Sequence, residues 1–295
     1  MLQSAVHFRP VDVLTSAFAA FLCLASFFCW SAVSDHGAIA QIAAVGLLPL
    51  VVAWLRARIP RPGTALRIFL DFYVIACVVV IFDGLGPLIR AVNPVDRDAW
   101  LINCDRALFG ADPTVALERF ATPFLSDVLT VCYALYYFHP IVLGALVYAD
   151  DLRRPVAEFH RYAFTMVFVF FVSYAGYFTL PAVGPRYTVH HKSPLPRGTV
   201  SKAIDETLDR LEKNKRDCFP SGHTMVVVAV LMEAGRRSRR TFLWFLPFAA
   251  GLILATVYGR YHYVTDVLAG LLLVFPAVWL GNALFRRLEA ATITR

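Results

Sequence analysis

The chain has 295 residues, of which 58% are hydrophobic and only 17% charged, with a net charge of +7. A soluble domain carries more charge and less apolar surface, so this composition excludes one and reads as an all-α integral membrane protein. The arginines are spread loop by loop rather than gathered in one stripe, which assigns the positive charge to membrane topology and not to nucleic acid.

Apolar stretches near 13–33, 38–55, 65–88, 125–148, 162–182, 221–236, 241–258 and 263–284 predict about eight transmembrane helices, most of them near the ~20 residues that cross a bilayer. The first is longer than a secretory h-region and is followed closely by a second span, so it is read as a helix of the mature protein. Arg56, Arg58, Arg61 and Arg67 follow the second span, Arg153, Arg154 and Arg161 the fourth, Arg236, Arg237, Arg239 and Arg240 the sixth, and Arg286 and Arg287 the eighth. Under the positive-inside rule these loops face the cytoplasm, and "SDHG" (34–37), 91–124, 183–220 and "GRYH" (259–262) face the other side.

Two outer loops are long. In the first, "ADPTVALERF" (111–120) predicts a short surface helix with Asp112 as N-cap and Pro113 at its first position. In the second, "SKAIDETLDRLEKNKRD" (201–217) places Ile204, Leu208 and Leu211 on one face among charges, either a lid over a site or a solvated surface helix. Cys23, Cys29, Cys77 and Cys132 lie inside apolar spans and none of the six cysteines forms a C-x-x-C pair, which fits neither a disulfide framework nor a zinc pattern. Cys104 and Cys218 alone fall in outer loops, as two free thiols or as a disulfide tying those loops together.

Ionisable side chains at membrane depth are costly and mark pathways or sites. His223 opens the sixth span, in "CFPSGHTMVVVAV" (218–230), and "RYHYVTDVLAG" (260–270) brings His262 and Asp266 to the start of the eighth. Residues four apart share a helical face, so Asp266 can orient one ring nitrogen of His262 and leave the other as nucleophile or base. A second imidazole opposite it can serve the leaving oxygen. Ser221 and Gly222 stand at a helix N-terminus, where free N–H groups favour an anion, and Arg186 offers a planar fork that fits a phosphate. From Ser221 to Arg236 the sixth span is about 24 Å long, which sets His223 slightly below the surface, level with lipid headgroups. The set reads as phosphoryl transfer at a membrane surface.

"FPSGH" and "HYVTD" resemble the second and third signature motifs of the type 2 phosphatidic acid phosphatase superfamily, and "LPAVGPRY" (180–187) resembles the degenerate first motif of its inositolphosphotransferase branch, which includes inositol phosphorylceramide synthases. The resemblance implies a six-helix core over 65–284, two additional helices within 1–64 and a cytoplasmic tail over 285–295. It makes His262 the nucleophile of a phosphohistidine, Asp266 its orienting partner and His223 the acid and later the base, with Arg186, Ser221 and Gly222 on the phosphate and Arg260 as a further ligand. It implies no metal and no cofactor. The expected partners are the bilayer and a lipid bearing a phosphate, with no nucleic acid.

Two cations of the phosphatase pattern are absent, because Thr179 and Thr256 stand where lysine and arginine are expected. Fewer fixed cations suit a singly charged phosphodiester, which favours a headgroup transferase over a lipid phosphate monoester or polyprenyl pyrophosphate phosphatase, unless Arg260, Lys192 or Arg216 fills the gap. A different class of reading, a non-catalytic lipid- or haem-binding protein, gives the glycine and proline beside His223 no role. The compartment is read as a bacterial cytoplasmic membrane with an outward-facing site, with the Golgi membrane and a luminal site as the alternative.

Overall fold

A computed structural model describes residues 8–152, 158–211 and 214–293. His7, Arg153 and Arg154, and the side chains of Leu208 and Leu211, lie outside what is described. The described chain is helical throughout: α1 (Pro10–Phe28), α2 (His36–Arg58), α3 (Thr64–Phe72), α4 (Val74–Val92), α5 (Asp98–Phe109), α6 (Pro113–Ala116), α7 (Pro123–Ala134), α8 (His139–Asp151), α9 (Glu158–Thr179), α10 (Pro185–Thr188), α11 (Thr199–Leu211), α12 (Gly222–Arg237), α13 (Arg239–Tyr258) and α14 (Val264–Ile293).

Six of these segments are individually long and apolar enough to cross a membrane, α3 and α4 counting as one, and this is an integral membrane protein. The predicted fourth span is not one straight helix. It breaks between α7 and α8 with a bend of 49°, because Pro140 in the first turn of α8 has no N–H to give and its ring crowds the carbonyl four residues back. Counted as a bent pair, α7 and α8 supply a seventh crossing. The sixth apolar segment, α12, has 16 residues, ten of them buried. It packs against α8, α9, α13 and α14.

One end of the bundle is knitted by charges. The fully buried Asp12 accepts from Arg56 (2.7 Å) and from the Tyr73 hydroxyl (2.6 Å), tying α1 to α2 and to the α3–α4 junction. Arg161 forks onto Glu233 (3.0 and 2.7 Å) and reaches Asn282 (2.8 Å), joining α9, α12 and α14. Polar groups in an apolar setting are held only where they are paired, and these pairs fix how the helices sit. Residues 285–293 continue α14, and Phe285 is buried in the core.

The opposite end carries the long loops. The first contains α5, a helix that no motif announced, before the short α6 and a 3-10 turn at Leu117–Phe120. Asp112 precedes α6 as expected, but its carboxylate does not cap it. The planar fork of Arg106 takes both oxygens at 2.9 Å instead.

Candidate active site

The starts of α12 and α14 meet at the loop-bearing end. The N-terminus of α12 is set by Ser221, which caps it by accepting from the Thr224 N–H (3.3 Å) and hydroxyl (3.0 Å). Its own N–H donates to the Asp266 carbonyl (3.2 Å), which locks the start of α12 onto the start of α14. The approach leaves no room for side chains. A Cβ on Gly270 would lie 2.7 Å from the Ser221 carbonyl oxygen, and one on Gly222 would run into the Tyr177 hydroxyl.

Across this junction the side chains of His223, His262 and Asp266 form a line. Nδ1 of His223 lies 3.1 Å from Nε2 of His262, and Nδ1 of His262 lies 3.1 Å from Oδ1 of Asp266. His262 is 3% and Asp266 0% exposed, so the line is shielded from bulk water. Burial pushes the His262 imidazole down, but the charge of Asp266 outweighs it and holds His262 above its ordinary value. Nδ1 of His262 lies beside the carboxylate, and Nε2 is the nitrogen that faces His223. His223 is itself framed by Tyr133, stacked at 4.9 Å, and Tyr136 at 4.3 Å between ring centroids. Its Nε2 is buried without a hydrogen-bond partner among the described residues.

Several residues with clear roles in this geometry carry no motif. The Cys218 thiol donates to Oδ2 of Asp266 (2.7 Å), and burial together with that carboxylate holds it well above the usual thiol range. Cys104 and Cys218 are both free thiols. Cys218, His262 and Asp266 offer donor atoms within 4.8 Å of one another, the one such set among the described residues. A tetrahedral ion with bonds of about 2.3 Å to sulfur and 2.0 Å to oxygen would hold those two atoms about 3.5 Å apart. The 2.7 Å between the thiol and the carboxylate is a distance bridged by a proton.

α5 supplies two buried carboxylates seven residues apart on one face. Asp98 accepts from the backbone N–H groups of Val183 (3.0 Å) and Gly184 (2.8 Å) and from the Tyr263 hydroxyl (2.9 Å). Asp105 accepts from the N–H groups of Val264 (3.0 Å) and Thr265 (2.7 Å) and from the Thr265 hydroxyl (2.6 Å), so it caps α14 from another helix. The first staples "LPAVGPRY" to the third motif, and the second fixes the turn from which Asp266 projects.

The cations are distributed unequally. Arg186, partly buried, has its guanidinium over the Tyr261 ring at 5.8 Å, and its N–H is held by the Arg260 carbonyl (2.8 Å). Arg260 adopts φ +66°, and its Nη2 donates to Glu118 (3.2 Å) and to the Ser193 carbonyl (2.8 Å). Arg216 donates to Asp96 (2.9 Å). Thr256 is fully buried, with its carbonyl accepting from the N–H groups of Tyr261 (2.9 Å) and His262 (3.1 Å), while Thr179 is exposed.

α11 closes over the site. The Ser201 N–H binds Asp127 (2.7 Å), the Tyr261 hydroxyl donates to Asp205 (3.2 Å), Arg197 pairs with Asp205, and Ile204 packs beside Tyr133 and Tyr258. The helix predicted from its apolar face is therefore docked on α7 and on the third-motif loop.

Residues 99–280 match the model of the PAP2 superfamily. The chain belongs to that superfamily. It is a membrane protein of that superfamily, with its long loops at the end that carries the histidine pair. Over 202 residues it is 27% identical to a phosphoinositol dihydroceramide synthase of Bacteroides thetaiotaomicron, a match that covers 61% of this chain and 65% of that protein. The chain thus spans just under two thirds of the curated relative it matches. No solved structure matches it.

Proposed function

We propose that this PAP2 enzyme transfers a phosphate-bearing headgroup from a phospholipid to a lipid hydroxyl through an intermediate on His262. The observation that carries the reading is the unbroken line Asp266, His262, His223, with Nε2 of His262 at 3.1 Å from the second imidazole. In the first step Nε2 of His262 attacks phosphorus and forms a P–N bond. The ester P–O bond breaks, and the leaving lipid oxygen takes a proton from His223. In the second step a hydroxyl of the acceptor attacks phosphorus, His223 accepts its proton and the P–N bond breaks, which restores both histidines. Asp266 holds His262 in the reactive tautomer and balances the charge that develops on it, as Cys218 and the Tyr263 N–H (3.0 Å) steady the carboxylate.

The phosphate oxygens would lie at the N-terminus of α12, against the N–H groups of Gly222 and His223, the Ser221 hydroxyl and Arg186. Charge supports a diester donor. Arg260 and Arg216 are paired with Glu118 and Asp96, and threonines stand at 179 and 256 where the phosphatase pattern has cations, so the site carries fewer cations than that pattern, which suits one negative charge better than two. A phosphoinositide donor and a sphingoid acceptor are the classes that the Bacteroides relative's name suggests. Because the arginine-rich end is opposite the histidines, we place the site on the outer face of a bacterial cytoplasmic membrane.

The reading is tested by incubating the purified protein with phosphatidylinositol and dihydroceramide and analysing the lipids by mass spectrometry. A phosphoinositol dihydroceramide product supports it. Release of inositol phosphate or phosphate alone, with dihydroceramide unchanged, would make the enzyme a hydrolase.

A further inference from the structure

A cavity of about 820 Å³ starts at His223 and Asp217 and runs along the inside of α9 to Asp71 at the other end of the bundle. Its α9 wall is the stripe Phe159, Ala163, Val167, Phe170, Tyr174 and Tyr177, spaced by threes and fours on one helical face. From first to last the rise is about 27 Å at 1.5 Å per residue, close to the whole ~30 Å hydrocarbon core. Tyr136, Tyr137 and Phe138, at the break between α7 and α8, line the cavity as well. α4 and α8 both pack on α9 but hardly touch each other. Above, Ala203, Ile204 and Thr207 of α11 cover the mouth. Below, Phe72 rests on Tyr148 (5.3 Å) and Phe159 (4.7 Å), and the Tyr148 hydroxyl is pinned by Asp71 (2.8 Å), which makes a closed aromatic floor.

We propose that this cavity receives one hydrocarbon chain of the donor phospholipid, admitted sideways between α4 and α8, and that its floor sets the longest chain the enzyme accepts. The proposal rests on the phosphotransfer reading for its choice of donor. Of the two imidazoles, His223 lines the cavity and His262 does not, and His223 is the group that protonates the leaving lipid oxygen, from which the donor's chains hang. Selection here works by exclusion. Lipid tails are as apolar as the wall, so a chain gains little by leaving the bilayer for the cavity. A chain that meets the floor, in contrast, must distort packed side chains, at a cost that corresponds to roughly five- to 150-fold in binding.

The test uses the full chain in lipid nanodiscs and a series of lysophosphatidylinositols of increasing chain length. Ala163→Phe raises the floor by about one helical turn, roughly 6 Å above Phe159. It is expected to lower kcat/KM for the longest chains at least tenfold and to leave the shortest within twofold. Phe159→Leu lowers the floor and should extend the accepted range. In parallel, a phosphatidylinositol with a photoreactive group at one chain end should label wild-type protein within 159–167. Chain-length profiles of both variants that coincide with wild type, or labelling confined to outward positions such as Leu272 and Trp279, overturn the proposal. If wild type turns over no member of the series, the phosphotransfer reading fails, and the labelled positions decide the cavity's occupant by themselves.

Discussion

Replacing Asp105 with alanine perturbs the site from a residue that touches none of the three groups in the Asp266–His262–His223 line. Asp105 is 2% exposed and accepts three hydrogen bonds at the first turn of α14. Hydrogen bonds to a charged group contribute about 1.5–3 kcal/mol each, and loss of a helix cap costs about 0.5–2 kcal/mol. Because the three bonds share one carboxylate and water can replace part of them, the expected cost is about 2–4 kcal/mol, concentrated where Thr265 leads into Asp266. That lowers the apparent melting temperature by on the order of 5–10 °C. A displacement near 1 Å at Asp266 would cost about 100-fold in kcat. Three readouts separate positioning from general destabilisation: kcat below the melting range, KM, and the pH dependence of kcat/KM. The account expects kcat to fall about 100-fold, KM to change little, and the acidic limb to move to lower pH as Asp266 loosens its hold on His262. A variant with kcat within threefold of wild type and an unshifted limb would refute the assignment of α5 as the support of the third motif.

His223→Ala should still form an intermediate from a donor with a good leaving group, because acid assistance matters least there, whereas turnover of natural phospholipid should drop by at least 100-fold; equal loss with both donors would count against His223 as the acid. The acidic limb of kcat/KM in the wild type should lie above 6.5, the ordinary histidine value, since Asp266 raises His262 and only neutral His262 attacks. Activity is then lost as pH falls through that raised value, and Asp266→Asn should carry the limb downward; a limb at or below 6.5 in the wild type contradicts the coupling. Thr179→Lys, at an exposed position, should raise the ratio of monoester to diester turnover severalfold, and an unchanged or lower ratio would remove the charge-counting argument for a diester donor.

The apolar segments and the residues of the second and third motifs are legible in the sequence because both depend on local spacing. His262 and Asp266 are four apart and His223 stands behind a helix cap, so chemistry and position coincide. Asp98 and Asp105 were written just as openly, seven apart with Leu101 between them, yet carboxylates in a polar loop look like surface charge until their donors, 85 to 165 residues away, come into view. Arg260 shows the same limit: its bond to Glu118, 142 residues distant, leaves no mark in the sequence. The interruption of the fourth span had a visible cause in Pro140, which a hydropathy window passes over because the flanking residues are apolar. Cys218 offered no signal, since a thiol acting as donor to the Asp266 carboxylate has no periodicity or spacing.

The central claim is a covalent intermediate on His262, and it is tested by capturing that intermediate. Enzyme mixed with phosphatidylinositol in the absence of acceptor, quenched in alkali because a P–N bond on imidazole is acid-labile, and digested for mass spectrometry, should carry a phosphoinositol adduct on the peptide containing His262. The adduct should be absent in His262→Ala and discharged when dihydroceramide is added before the quench. A folded, active wild-type enzyme that shows no adduct under these conditions, or carries it on another residue, contradicts the account.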